Sequence, residues 1–146
     1  MYSALGMRLI RMKPGEHDLH AAYVSHLSHI SSFVLANTVL AKETDETAIF
    51  DLAGGGFEST VRLAKSSPET WASIFLQNRA NVLRAVEDYI EHLCDFHRAV
   101  RNGSGQEMKA LMANANRIRP VLGAMRSGGK RRAAAGKKAE RGRKDR

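Results

Sequence analysis

Ten residues, Tyr23 to Ser32 (YVSHLSHISS), hold two histidines three positions apart among four serines. Residues three apart on a helix are neighbours, so His26 and His29 are expected to share a face. Such a pair suits a metal ion or a polar ligand. Zinc wants three or four ligands, often with cysteine or carboxylate help. The chain has six histidines, His17, His20, His26, His29, His92 and His97, but no HExxH and only one cysteine, Cys94. The reading is therefore no metal site. Half-buried, hydrogen-bonded side chains account adequately for His92 and His97. They account less well for His26 and His29, because Ser25, Ser28, Ser31 and Ser32 make that helix unusually polar amid Tyr23, Ile30 and Phe33. Buried polar groups need partners, and a cluster of hydroxyls and imidazoles can satisfy a polar ligand.

A second candidate is LAGGGFESTVR, Leu52 to Arg62. Gly54, Gly55 and Gly56 permit positive φ and a close approach of backbone to ligand. Their N–H groups precede an expected helix, where an anion is favoured. The Arg62 guanidinium, one or two turns on, can grip a carboxylate with two parallel bonds. Alone, three glycines and an arginine also describe a linker and a surface charge.

The elements that must position these residues read as helices. Glu16 to about Ala41 repeats Leu19, Ala22, Tyr23, His26, Ile30, Phe33, Val34 and Asn37 at spacings of three and four. Ala48, Ile49 and Leu52 form a short helical piece stopped by the glycines, and Phe57 to Lys65 is helical again. Ser66-Ser67-Pro68-Glu69 is a helix start: a serine cap, a proline for the first turn, a glutamate at the positive dipole end. The helix after it is expected to run to about Val100, with Trp71, Ile74, Phe75, Val82, Val86, Ile90, Leu93 and Val100 as its stripe. At ~1.5 Å per residue it reaches roughly 45–50 Å. That is more than a small domain buries alone, so a partner chain is expected against it. Asn102-Gly103 ends it. Ser104 and Glu107 form a capping box for a last helix, which Pro120 closes. Met7 to Met12 (MRLIRM) reads as a lone strand, broken by Lys13-Pro14-Gly15.

Apolar residues make up 43% and charged residues 26% of 146, enough for one domain with a core. One cysteine excludes an intrachain disulfide. MYSALGMRLI lacks the basic and apolar regions of a signal peptide, and no apolar run reaches the ~18–20 residues that span a bilayer. A cytoplasmic protein with no membrane contact is expected. The net charge of +8 lies entirely in residues 126–146, where ten Lys/Arg face two Asp/Glu. That segment lacks large apolar side chains and reads as a disordered basic tail, with at most weak, salt-sensitive contact to nucleic-acid phosphates. The fold class is all-α: a helical bundle with one very long helix in an intertwined dimer, a strand remnant in front and the tail behind. The division is 1–15, 16–125 and 126–146.

Several separated motifs, in order, resemble prephenate dehydrogenase: His17-Asp18, then SHxxH (Ser25, His26, His29), GGGFxxxxR (Gly54 to Arg62), SxPxxW (Ser66, Pro68, Trp71) and Asn78. The likeness covers roughly residues 2–100 and is to the C-terminal, helical dimerisation half of that enzyme. In the family this half follows an NAD-binding domain, and MRLIRM is similar to that domain's last strand. The resemblance implies oxidative decarboxylation of prephenate with NAD to 4-hydroxyphenylpyruvate, on the route to tyrosine. It implies that Arg62 holds a substrate carboxylate, often in the partner subunit's site. His17, Ser25 and His29 would contact the substrate's polar groups, with His26 orienting the cluster. Gly55 would line the pocket through its backbone, and Trp71 would help close it. Two positions depart from the pattern: Ser28 stands where many members have proline, and Ser59 where some have an acid. No GxGxxG follows a strand in these residues, and the family's catalytic base lies in the NAD-binding domain. The chain alone is thus expected neither to bind NAD nor to turn over, and needs that domain supplied. The competing reading is a non-catalytic helical dimerisation module whose basic tail binds nucleic acid.

Overall fold

The computed structural model describes residues 9–43 and 48–125. All regular structure among them is helical. The described residues fall into two compact units, Arg11–His92 being one and residues 93–125 belonging to the other.

Helix α1 (Pro14–Ala21) starts on a proline in its first turn, with Glu16 Oε2 accepting from the Lys13 N–H at 3.1 Å. A π-helical turn, Ala22–His26, joins it without interruption to α2, Leu27–Glu43. The helical periodicity over 16–41 is thus realised, with one wide turn inside it. The segment Ile49–Leu52 is a short 3₁₀ turn. Helix α3 (Gly55–Val61) follows and passes into a 3₁₀ turn, Arg62–Lys65. All three pieces pack along α2, and the buried Ser32 hydroxyl donates to the Thr60 carbonyl.

Helix α4 (Pro68–Gln77) begins as its sequence indicates: the Ser67 hydroxyl accepts from the Thr70 N–H at 3.2 Å. It does not run on to Val100. Asn78 leaves the helical conformation (φ −110°, ψ 30°), and α5 starts afresh over Arg79–Arg101. The stripe through Phe75 and Val82 is compatible with one helix. At the break the Asn78 side chain bonds Asp18 O and faces His26, contacts distant in sequence that no periodicity reports. At 23 residues α5 is still the longest helix among those described.

Gly103 ends α5 at φ +62°. The Ser104 N–H bonds the Ala99 carbonyl and the Gly103 N–H the Val100 carbonyl, both at 3.0 Å, satisfying the last carbonyls of the helix. Ser104 then caps α6 (Gly105–Ala115), its hydroxyl accepting from the Glu107 N–H. Pro120 does not stop the chain's helical course. A 3₁₀ turn, Asn116–Ile118, leads into helical residues 119–125, where proline occupies the tolerated first turn.

The strand expected at Met7–Met12 is not found at Leu9–Met12, which has no regular structure; Met7 and Arg8 lie outside the described residues. A lone strand has no ladder partner to hold it. The basic tail at 126–146 also lies outside them.

The core is thin. In the Arg11–His92 unit Ala22 and Ala85 are essentially inaccessible, with Val82, His26 and Ser32 also buried, and in the other unit Ala99 is inaccessible. On α5, Leu83, Ile90, Leu93 and Val100 stay more than half exposed. Their spacings of seven, three and seven place them on one face.

Candidate functional site

The irregular turn and the helix break meet at His26. The π turn widens the helix at Ala22–His26, and its carbonyls take side-chain donors. The Ser28 hydroxyl donates to Val24 O at 3.2 Å. His29 Nδ1 bonds Ser25 O at 3.0 Å. A carbonyl can only accept, so His29 carries its proton on Nδ1, which leaves the Nε2 lone pair free in the neutral ring.

Helix α4 supplies an aromatic floor. The His29 ring stacks on Trp71, with centroids 3.4 Å apart and planes 22° from parallel. His26 stands edge-on to Trp71 and to Phe75, each at 6.1 Å. Trp71 and Phe75 are themselves 5.5 Å apart. The two histidines therefore do share a face, and α4 covers it.

From the break, Asn78 Nδ2 donates to Asp18 O at 2.7 Å and sits 3.4 Å from His26 Nδ1. Its Oδ1 accepts from Asn81 Nδ2 at 2.8 Å. His26 is only 8% exposed. Burial pushes its pKa below the ordinary value of 6.5, and His29 and His17 add repulsion that Asp18 partly opposes. His17 is itself exposed on α1, with Nδ1 3.1 Å from Asp18 Oδ1. Tyr23, on the π turn, donates to Asp88 of α5, a bond that raises the phenol pKa.

The serines divide. Ser28 and Ser31 bond backbone carbonyls of their own helix, and Ser32 bonds α3. Only the Ser25 hydroxyl has no hydrogen-bond partner among the described residues, so it alone of the four is free for a ligand. Gly55 and Arg62 lie on α3 and its 3₁₀ extension, both exposed. No described hydrogen bond, ion pair or ring contact joins Arg62 to Ser25, His26 or His29. None of the three consecutive glycines has positive φ, and a Cβ at any of them meets nothing within 4 Å. The freedom for positive φ that the glycines offer is not used, and the chain simply enters a helix with Gly54 as the cap.

The residues thus gathered are His17, Ser25, His26, His29 and Trp71. Asn78 belongs with them, although its type and spacing alone gave it no role. Its signal was its place in the motif order. Among the described residues no three His, Cys, Asp or Glu come together to hold a metal. None of the described helices is long and apolar enough to cross a membrane.

Residues 13–114 match the family model described as prephenate dehydrogenase, dimerization domain. The chain belongs to that family. Prephenate dehydrogenase of Bacillus subtilis (strain 168) is 31% identical over 84 residues, which are 58% of this chain and 23% of the relative. Cyclohexadienyl dehydrogenase of Zymomonas mobilis is 26% identical over 122 residues, 83% of this chain and 42% of the relative. The chain therefore spans less than half of the curated relatives it matches. Among solved structures, prephenate dehydrogenase from A. aeolicus, in complex with hydroxyphenyl propionate and NAD+, aligns at a TM-score of 0.68 and 32% identity. That alignment covers 76% of this chain and 39% of the other. Synechocystis arogenate dehydrogenase aligns at 0.74 and 26% identity, over 82% and 44% of the two chains.

The described residues lack the elements of a parallel-sheet dinucleotide site. NAD sites of the parallel-sheet kind need a strand, a glycine turn and a helix N-terminus in succession. The described residues contain no strand, and the sequence has no GxGxxG.

Proposed function

We propose that this chain is the substrate-binding, dimer-forming half of a prephenate dehydrogenase, and that it serves oxidative decarboxylation of prephenate to 4-hydroxyphenylpyruvate. The observation that carries the reading is the His26–His29–Trp71 cluster with a free Ser25 hydroxyl, in a chain of this family. Prephenate is a dianion with a hydroxyl. The Ser25 hydroxyl and the His26 ring can donate to its oxygens, and the His29 Nε2 lone pair can accept from its hydroxyl. Trp71 gives its ring an apolar wall. His17 and the backbone at Gly55 add to the pocket, and Arg62 pairs with a carboxylate, in this chain's site or a partner copy's. The dinucleotide is held by another domain, so this chain alone performs no turnover. The unpartnered α5 face through Leu83, Ile90, Leu93 and Val100 is where a second copy packs.

Trp71 is the only tryptophan, so its fluorescence reports on the site directly. Titration with prephenate, or with 4-hydroxyphenylpropionate as a stable analogue, is expected to give a saturable change. It is measured in the chain alone and in the chain joined to a relative's NAD-binding domain. Ser25→Ala is expected to weaken binding by about 0.5–1.5 kcal/mol, and Arg62→Ala by about 1.5–3 kcal/mol, the scales of neutral and charged hydrogen bonds. A folded protein whose Trp71 signal responds to neither ligand in either form overturns the reading.

A further inference from the structure

Asn78 is the one side chain that bonds α1, faces the π turn and bonds α5. Its orientation is fixed by its surroundings. Asp18 O can only accept, so the group 2.7 Å from it must be the amide nitrogen. Asn81 Nδ2 donates to the other end at 2.8 Å, which must be the oxygen. A flipped amide would set oxygen against oxygen on one side and two donors against each other on the other. The second hydrogen of Nδ2 is then left for His26 Nδ1, 3.4 Å away. A proton on that nitrogen would oppose it. The neutral His26 ring must therefore carry its proton on Nε2, the reverse of His29, whose Nδ1 is committed to Ser25 O.

We propose that Asn78 is a positioning residue that holds His26 as the Nε2–H tautomer, so that the two imidazoles packed on Trp71 present unlike outer nitrogens, a donor on His26 and an acceptor on His29. His26 Nε2 has no hydrogen-bond partner among the described residues, and no buried side-chain nitrogen or oxygen there is left unpaired. This atom is thus not sealed from solvent, although the ring as a whole is only 8% exposed. Its complement is a small molecule that offers an oxygen acceptor to one ring and a hydroxyl to the other. Two like nitrogens would not select such a molecule. The groups facing His26 are His17 and Asp18 from α1, His29 from α2, and Asn78, Trp71 and Phe75 from α4 and its end. None of the others is placed to donate to Nδ1. The tautomer assignment stands on these contacts alone, while its use for a ligand rests on the function proposed above.

Long-range proton–nitrogen spectra of the full ¹⁵N-labelled chain read the tautomers directly. His26 is expected with its proton on Nε2 and His29 with its proton on Nδ1. Asn78→Asp puts an acceptor where the donor was and is expected to move the His26 proton to Nδ1. Asn78→Ala removes the donor without adding charge and guards against a misfolded aspartate variant. It is expected to shift the His26 Nδ1 resonance to that of an unbonded ring nitrogen. Either folded variant is expected to bind 4-hydroxyphenylpropionate about tenfold more weakly by Trp71 fluorescence, the loss of one hydrogen bond's worth of orientation. A wild-type His26 protonated on Nδ1 overturns the proposal, and so does a His26 spectrum indifferent to both substitutions. If the tautomers are as stated but the ligand leaves the His26 Nε2–H signal unmoved, it is the substrate reading that fails.

Discussion

Replacing His26 with leucine tests whether this imidazole is held neutral by the fold. His26 is 8% exposed, lies between two aromatic rings and accepts from an amide. Burial first, then the nearby His29 and His17, lower its pKa in the folded chain. In the unfolded chain it titrates near its ordinary value of 6.5. As pH falls through that value the unfolded chain takes up a proton that the folded chain refuses. His26 thus contributes stability that is complete above pH 6.5 and is lost as pH falls toward the folded pKa, with a plateau below it. One proton changes the unfolding free energy by at most ~1.4 kcal/mol per pH unit. Urea unfolding of the wild type and of His26→Leu, at pH 8, 7, 6 and 5 and one fixed protein concentration, isolates this group. The other five histidines are present in both proteins. The stability difference is expected to be flat from pH 8 to 7. Below 6.5 it should move against the wild type with a slope no steeper than that of one proton. Parallel curves over the whole range would show that His26 protonates freely in the fold, and the reasoning from burial would be refuted.

Two further outcomes are expected. Gly55→Ala should leave stability unchanged or raise it by up to about 1 kcal/mol, since Gly55 enters a helix with no positive φ and open space at Cβ. It should still weaken binding of 4-hydroxyphenylpropionate if a ligand approaches that backbone, and equal loss of both would mark the glycine as structural. Light scattering at micromolar concentration should give a dimer, and Leu93→Glu, at a position 56% exposed in the single chain, should give a monomer with its helices intact. A wild-type monomer removes the partner from the account of α5.

The helices were legible wherever local chemistry sets them. The Ser67 cap with Pro68, the Ser104 cap, the Gly103 stop and the three-and-four spacing over 16–41 all act within a few residues, and each appears where the sequence places it. What was not legible depends on contacts distant in sequence. The π turn adds little to the spacing of apolar residues, so Leu19, Ala22, Tyr23 and His26 look the same with or without it. The break at Asn78 interrupts an apolar stripe that would suit one helix, because an asparagine side chain bonds backbone sixty residues away. Proline was misread at 120 because it starts helical turns as readily as it stops them. The triple glycine suggested left-handed backbone, yet φ > 0 is a freedom that glycine has and need not use. Within the candidate site, the shared face of His26 and His29 followed from their spacing. The resemblance to the family implied only that Trp71 helps close the pocket, and its packing against both histidines is a finding of the structure.

The two irregularities of the Arg11–His92 unit are one feature. A π turn gives up regular i→i+4 bonding, and a helix break leaves orphan groups at both of its ends. Either defect alone would be mended by a small local adjustment. Here each supplies what the other requires. The wide turn carries the Ser25 carbonyl that bonds His29, and His26 at its end faces the break. At the break, the asparagine side-chain amide faces His26 and bonds the Asp18 carbonyl. Packing alone does not demand this, since leucine or phenylalanine at 26 would fill the space between Trp71 and Phe75 without an amide partner. Two adjacent imidazoles with unlike tautomers, each set by a different backbone irregularity, are needed only if the outer nitrogens have to be told apart by something that binds them. Both irregularities thus converge on the cluster proposed above as the ligand site.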